Sequence, residues 1–264
     1  MGLKAILFDL DDTLLWDDRS VAEAFTATCE TATMKYPQLQ AVELELSVRK
    51  EARSIYESFD TFPFTKIIGI NPFEALWGNF TEGDNENFRK LHALAPGYRT
   101  AAWTQGLQAL GVDDAGLGQE LAELFPKERR ARPIVYEQTF PLLNALKGKY
   151  KLLLLTNGSP DLQKEKLAGV PELAAYFDHI IISGQFGEGK PAIAIFQHAM
   201  QLLNIEPSEG LMIGDKLTTD ILGSNRVGMR NVWINHHAAV RSNEIAPTYE
   251  ISDISQLLPI IQAL

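Results

Sequence analysis

Five stretches of the chain are almost continuously apolar, and each stops at a polar or small residue: KAILFD (4–9), KLLLLTN (151–157), HIIIS (179–183), GLMIG (210–214) and NVWIN (231–235). A strand with one wet face alternates apolar and polar side chains. These runs do not, so each reads as a strand covered on both faces, as in a parallel sheet sandwiched between helices. Parallel neighbours need a crossover of roughly a dozen residues or more. The last four runs are separated by helix-length segments, as such crossovers require. The expected fold is therefore α/β, with a doubly wound parallel sheet as its core.

The first gap breaks this rhythm. About 140 residues separate the first run from the second, far more than one crossover helix uses. Within the gap, Val21, Phe25 and Ala32 follow helical spacing, as do Ala102, Trp103, Leu107 and Leu110 ahead of Gly111. Leu117, Leu121, Leu124 and Phe125 form a further stripe, expected to end near Pro126. Residues 17–131 are thus expected to form a mostly helical insert, with 1–16 and 132–264 forming the core. Between residues 60 and 97, Phe62, Phe64, Phe73, Trp77, Phe80 and Phe88 lie among Pro and Gly. They read as an aromatic mini-core, with a substrate-facing wall as the alternative.

Composition narrows the partners. Against 24 Lys and Arg stand 34 Asp and Glu, a net charge of -10, which repels a phosphate polymer and argues against a nucleic-acid partner. A lone cysteine, Cys29, forms no intrachain disulfide and suits a reducing compartment. The opening MGLKAILFDL holds too short an apolar run for secretion, and no run approaches a membrane span. The expectation is a soluble cytoplasmic protein without a membrane partner; nothing in the sequence specifies an oligomeric state.

Chemistry-bearing residues gather where the strands end. The first strand runs into DLDDTL, which sets Asp9, Asp11 and Asp12 in one tight turn. Carboxylates this close repel one another, and a cation between them relieves that repulsion; a solvated turn or helix cap is the plainer reading. The fourth run leads into GDKLTTD, adding Asp215 and Asp220 at a second strand end. Ligands bind at that edge of such sheets, and clustered carboxylate oxygens suit Mg²⁺. TNGSP after the second run offers the Thr156 hydroxyl and the backbone N–H groups around Asn157, although NG is also simply a turn. Lys190 follows the third run, ahead of Pro191, which is expected to start a helix.

That last segment, GQFGEGKP, matches a phosphate-binding P-loop up to its final letter. Pro191 stands where a Ser or Thr hydroxyl is required and lacks the N–H of the cradle. A P-loop also leaves DLDDT and GDKLTTD without a role, so the reading is rejected. His236 and His237 invite a metal reading, but no further ligands sit at suitable spacing and a plain loop is expected.

Taken in order, DLDDT, TNG, GKP and GDKLTTD resemble the four motifs of the haloacid-dehalogenase superfamily of phosphohydrolases, spread over residues 9 to 220. The resemblance implies a Rossmann-like core with an inserted helical cap, similar to the C1-capped subgroup. It implies Asp9 as the nucleophile that takes a phosphoryl group, and Asp11 as general acid and then base. Mg²⁺ is implied on the Asp9 carboxylate, the Asp11 carbonyl and Asp215, with Asp220 in support. Thr156 and Lys190 are implied as phosphate ligands, aided by backbone N–H groups near Asp12 and Asn157. The implied substrate is a small-molecule phosphate ester of the phosphoserine, sugar phosphate or nucleoside monophosphate class.

Three competing readings stand beside it. A dehalogenase also uses a carboxylate nucleophile, but departing halide needs no proton and leaves Asp11 idle. A phosphomutase returns the phosphoryl group to its substrate instead of to water. A non-enzymatic phospho-acceptor module has no use for an insert of this length.

Overall fold

The structure is a computed structural model and describes residues 2–240 and 244–264. All five apolar runs are strands: β1 (Ala5–Phe8), β2 (Lys151–Thr156), β3 (His179–Ile182), β4 (Gly210–Gly214) and β5 (Arg230–Ile234). A sixth, β6 (Tyr249–Ile251), joins them in one sheet of order β3-β2-β1-β4-β5-β6, every pairing parallel. Ala5 pairs with Lys151 on one side and Gly210 on the other, so β1 lies in the middle. The chain winds outward from β1 through β2 and β3, then returns to build β4, β5 and β6 on the other side.

The lack of alternation in the runs has a direct cause. Ala5, Leu7, Leu153, Leu155 and Met212 pack on one face against Ile195, Phe196, Ala199 and Leu203 of helix Ile193–Leu203. Ile6, Phe8, Leu152, Leu154, Leu211 and Ile213 pack on the other, against Leu142, Leu143 and Leu146 of helix Thr139–Leu146 and Leu257 and Ile261 near the C-terminus. Four consecutive leucines, ordinarily good helix formers, become a strand because both of their faces are buried.

The chain divides into two compact units. The sheet unit comprises Met1–Asp17, Ile134–Gly158 and Lys166–Leu264; the other comprises Asp18–Pro133 together with Ser159–Glu165. In the second unit, helix Ala41–Glu57 packs on helix Glu86–Gln108, which packs on helix Ala115–Arg130. The first contact is close because residue 106 is glycine: a Cβ there would lie 2.5 Å from Val48 Cγ2 and 3.0 Å from Val48 Cα. Phe25, Trp103 and Phe125 form an aromatic centre with ring separations of 4.5 to 5.9 Å.

The aromatic residues between 60 and 97 join this core: Trp77, Phe80 and Phe88 are buried in it, with Phe62, Phe64 and Phe73 packed against it. Two expectations are corrected. Helix Ala115–Arg130 runs on through Pro126, where it was expected to end; helix Glu86–Gln108 likewise contains a proline, Pro96. An interior proline costs about 3 kcal/mol. Burial of Leu117, Leu121 and Phe125 along one face outweighs that cost, since each buried apolar side chain contributes about 1.5–3 kcal/mol. Pro191, in the sheet unit, does not begin its helix: the first helical residue is Ile193, with Ala192 as the cap, and the Lys190–Pro191 peptide is cis.

Candidate active site

Strand order decides where the chemistry collects. The winding direction reverses between β1 and β4, and loops that leave the carboxyl ends of strands at such a point diverge and open a crevice. Asp9 follows β1 directly and Asp215 follows β4. The carboxylates of Asp9, Asp215 and Asp220 approach closely enough that one oxygen from each lies within 4.8 Å of the others.

Lys190 ties the cluster together. Its Nζ lies 2.7 Å from Asp9 Oδ1 and 2.7 Å from Asp220 Oδ1, and all three residues are buried. Asn157 places the lysine: its Oδ1 accepts from Lys190 N (2.8 Å) and its Nδ2 donates to Lys190 O (2.9 Å). The side chain lies so close to residue 189 that a Cβ there would meet Asn157 Oδ1 at 2.8 Å, which accounts for the glycine of GKP. Asp220 sits in a π-helical turn, Leu217–Ile221, where its Oδ2 accepts from Lys216 N at 3.1 Å. Such turns recur at functional sites. Thr156 is buried at the end of β2, one strand from Asp9.

The turn after β1 is tightly made. Leu14 N and Leu15 N both donate to Leu10 O, and Asp12 adopts a left-handed backbone with φ 53°, a conformation that Asp tolerates better than most residues. His236 Nε2 lies 2.8 Å from Asp12 O. A carbonyl only accepts, so Nε2 carries the proton in this contact. The imidazole stacks on Tyr136 at 4.9 Å, and Tyr136 stacks on Trp16 at 5.1 Å. His236 is therefore more than the plain loop residue expected: it buttresses the acidic turn.

Electrostatics bear the mark of crowding. Burial pushes the Asp9 carboxyl up to about 6, reinforced by Asp220 and Asp11 and opposed by Lys190. Burial, then Asp9 and Asp220, hold Asp215 well above the ordinary carboxylate range. Burial pulls the Lys190 ammonium down, but Asp220 and Asp9 outweigh it and leave its pKa raised. Lys216, within GDKLTTD yet given no role from the sequence, is raised in the same way: burial opposes, while Asp215 and Asp9 dominate.

This cluster fits a hard divalent cation. Asp215 Oδ1 is buried and accepts no hydrogen bond among the described residues, a costly state for a carboxylate unless a ligand completes it. The Lys190 ammonium offsets only one of three clustered negative charges, and oxygen-only donors are what Mg²⁺ takes. Both oxygens of Asp220 are already engaged, by Lys190 Nζ and Lys216 N–H, which suits it to a supporting part.

All the residues singled out from the sequence, Asp9, Asp11, Asp12, Thr156, Asn157, Lys190, Asp215 and Asp220, belong to the sheet unit and lie at the carboxyl ends of its strands. A buried carboxylate on the central strand, clamped by a lysine and flanked by two more acids, is the layout of an enzyme that transfers a charged group. A family model described as haloacid dehalogenase-like hydrolase matches residues 3–228. The chain belongs to that family.

Relatives of known name agree. The chain is 32% identical over 259 residues to a phosphoserine phosphatase of Thermus thermophilus, covering 97% of this chain and 98% of that protein. It is 38% identical over 253 residues to the pyrimidine 5'-nucleotidase YjjG of Escherichia coli, covering 96% and 95%. Among solved structures it resembles the HAD-hydrolase YfnB of Bacillus subtilis, with a TM-score of 0.67 at 21% identity over 99% of both chains, a likeness of fold. No helix among the described residues is long and apolar enough to cross a membrane.

Proposed function

We propose that this hydrolase is a Mg²⁺-dependent phosphatase that cleaves a small-molecule phosphate monoester through a phosphoryl group held covalently on Asp9. One observation carries the reading: the Asp9 carboxylate sits buried at the switch point with Lys190 Nζ at 2.7 Å, a cation placed to meet the phosphoryl oxygens as Asp9 attacks. The names of the relatives support it, since both the phosphoserine phosphatase and the pyrimidine nucleotidase act on small phosphate esters.

In this reading an Asp9 oxygen forms a bond to phosphorus while the bond from phosphorus to the leaving oxygen breaks. Asp11 gives its proton to that oxygen. Water then attacks phosphorus, Asp11 takes up the water proton, and the bond to Asp9 breaks to release inorganic phosphate. Splitting one difficult substitution into two is the gain of a covalent route. Lys190, the Thr156 hydroxyl and the backbone N–H groups near Asp12 and Asn157 hold the phosphoryl oxygens. Asp9, the Asp11 carbonyl and Asp215 would hold Mg²⁺, with Asp220 fixing Lys190 beside them. When bound, the ion supplies positive charge against the phosphoryl oxygens. The helical unit is read as the cap that the family resemblance implies, and the lone buried Cys29 suits a cytoplasmic setting.

The test is phosphate release from phosphoserine, sugar phosphates, nucleoside monophosphates and ATP, with and without Mg²⁺. Asp9→Asn is expected to lower kcat by on the order of 10⁴-fold or more, as loss of a catalytic nucleophile does, while the thermal melt stays cooperative. Full activity in that variant would rule out the nucleophile assignment. An isomeric phosphate in place of free phosphate would identify a phosphomutase.

A further inference from the structure

One charged side chain near the site belongs to none of the four motifs. Lys166, in the last turn of helix Pro160–Ala168, is buried with its side chain only 3% exposed. Its Nζ lies 2.8 Å from Asp11 Oδ2 and 3.6 Å from Asp17 Oδ1. Asp17 is the first residue of helix Asp17–Lys35. The lysine therefore spans the start and the exit of the acidic turn.

Burying an ammonium is expensive, and a buried ion pair replaced as a whole by apolar side chains of similar size is often as stable or more so. Packing alone gives no reason for a lysine here. Its placement gives one. A carboxylate that must hand a proton to a leaving oxygen, and later take one from water, has to be held to one orientation, and misplacement by about 1 Å costs on the order of 10²-fold. Asp11 immediately precedes Asp12, the left-handed residue of the turn.

Resting on the phosphatase reading above, we propose that Lys166 is the positioning residue for Asp11. Its ammonium donates to Oδ2 and keeps that oxygen an acceptor. The proton that passes to the leaving group, and later arrives from water, then rides on Oδ1. Lys166 itself touches neither phosphate nor the reacting atoms. It sets the direction of the carboxyl, so its loss is felt in proton transfer and not in phosphate binding.

That distinction can be measured by varying the leaving group. An alkoxide needs a proton as it departs, whereas p-nitrophenolate leaves without one. The ratio kcat/KM reports the half-reaction in which the leaving group departs, so it is compared for the alkyl phosphate that wild type cleaves best and for p-nitrophenyl phosphate. Lys166→Met is expected to lose about 10²-fold in kcat/KM on the alkyl ester and less than about 5-fold on the aryl ester. Asp11→Asn, measured alongside, shows the same selective loss in larger measure. Lys166→Arg, which keeps charge and donors, restores most of the alkyl activity. Thermal melts establish that each variant is folded; should the Met variant fail, Lys166→Gln is read by the same ratio.

Equal losses on both esters, or none, in a folded variant would overturn the role of Lys166. They would leave the phosphatase reading intact, because that reading stands on Mg²⁺-dependent release and its loss in Asp9→Asn.

Discussion

Asp220 is completely buried and held on three sides: Lys190 Nζ at one oxygen, Lys216 N–H at the other, and Ser224 Oγ on its backbone carbonyl. The space for it exists because residue 214 is glycine. A Cβ there would come within 2.4 Å of both Asp220 Cγ and Oδ2. Gly214→Ala is therefore expected to push Asp220 aside and carry Lys190 with it, lowering kcat/KM by about 10²-fold and stability by about 1–3 kcal/mol. Steady-state kinetics and urea melts measure both. Asp9, Asp215, Asp220 and Lys190 drew notice in the sequence because each follows an apolar run within stretches that, taken in order, resemble the motifs of one family. Lys166 and His236 were not. Lys166 stands in DLQKEKLAG, whose mixed charges resemble a solvated helix face, and its value arises from Asp11, 155 positions away. His236 reaches Asp12 across 224 positions. Contacts at such separations leave no local trace.

Among the elements, the strands were the easiest to read, because burial on both faces writes itself as an unbroken apolar run. β6 escaped notice: three residues, Tyr249–Ile251, only the last of them fully buried, are too few to form a pattern. Helices Asp17–Lys35, Glu86–Gln108 and Ala115–Arg130 were visible as stripes while Ala41–Glu57 was not, and the last of the three does not end at Pro126, because packing overrode local preference there. The start of helix Ala115–Arg130 is set by charge. Asp114 caps it by accepting from Leu117 N at 2.9 Å, and the same carboxylate takes a hydrogen bond from Tyr36 OH and an ion pair from Lys35, both at 2.8 Å. The Lys35 hydrogen bond, then those from Leu117 and Tyr36, hold this carboxyl well below its usual range. A carboxyl lowered in the folded state stabilises above its unfolded pKa of about 3.9 and gives that stability up as pH falls toward the folded value. Asp114→Asn keeps a capping oxygen and removes the charge. It is expected to lower Tm at neutral pH, with the gap from wild type narrowing below about pH 4; no narrowing in melts across that range would show that charge is not what secures the cap.

For the molecule as a whole, the cation proposed for the acidic cluster would link its binding to folding. A ligand that binds only the folded state at about 100 times its Kd stabilises by about 2.7 kcal/mol, which for a chain of this size corresponds to roughly 5–10 °C in Tm. Mg²⁺ is expected to raise Tm of the wild type by about that amount and to leave Asp215→Asn unmoved. Calorimetry without substrate measures it, and an equal rise in the variant would place the cation elsewhere. The same sheet carries a further consequence, one of time. β1 precedes both of its partners in the chain by more than a hundred residues, since these are β2 at Lys151–Thr156 and β4 at Gly210–Gly214. At translation rates of about 5–20 residues per second, β1 waits about 10 to 40 s before both of its neighbours exist. All of Asp18–Pro133 is made in that interval, so the strand that leads into Asp9 spends the synthesis of a whole second unit without either neighbour.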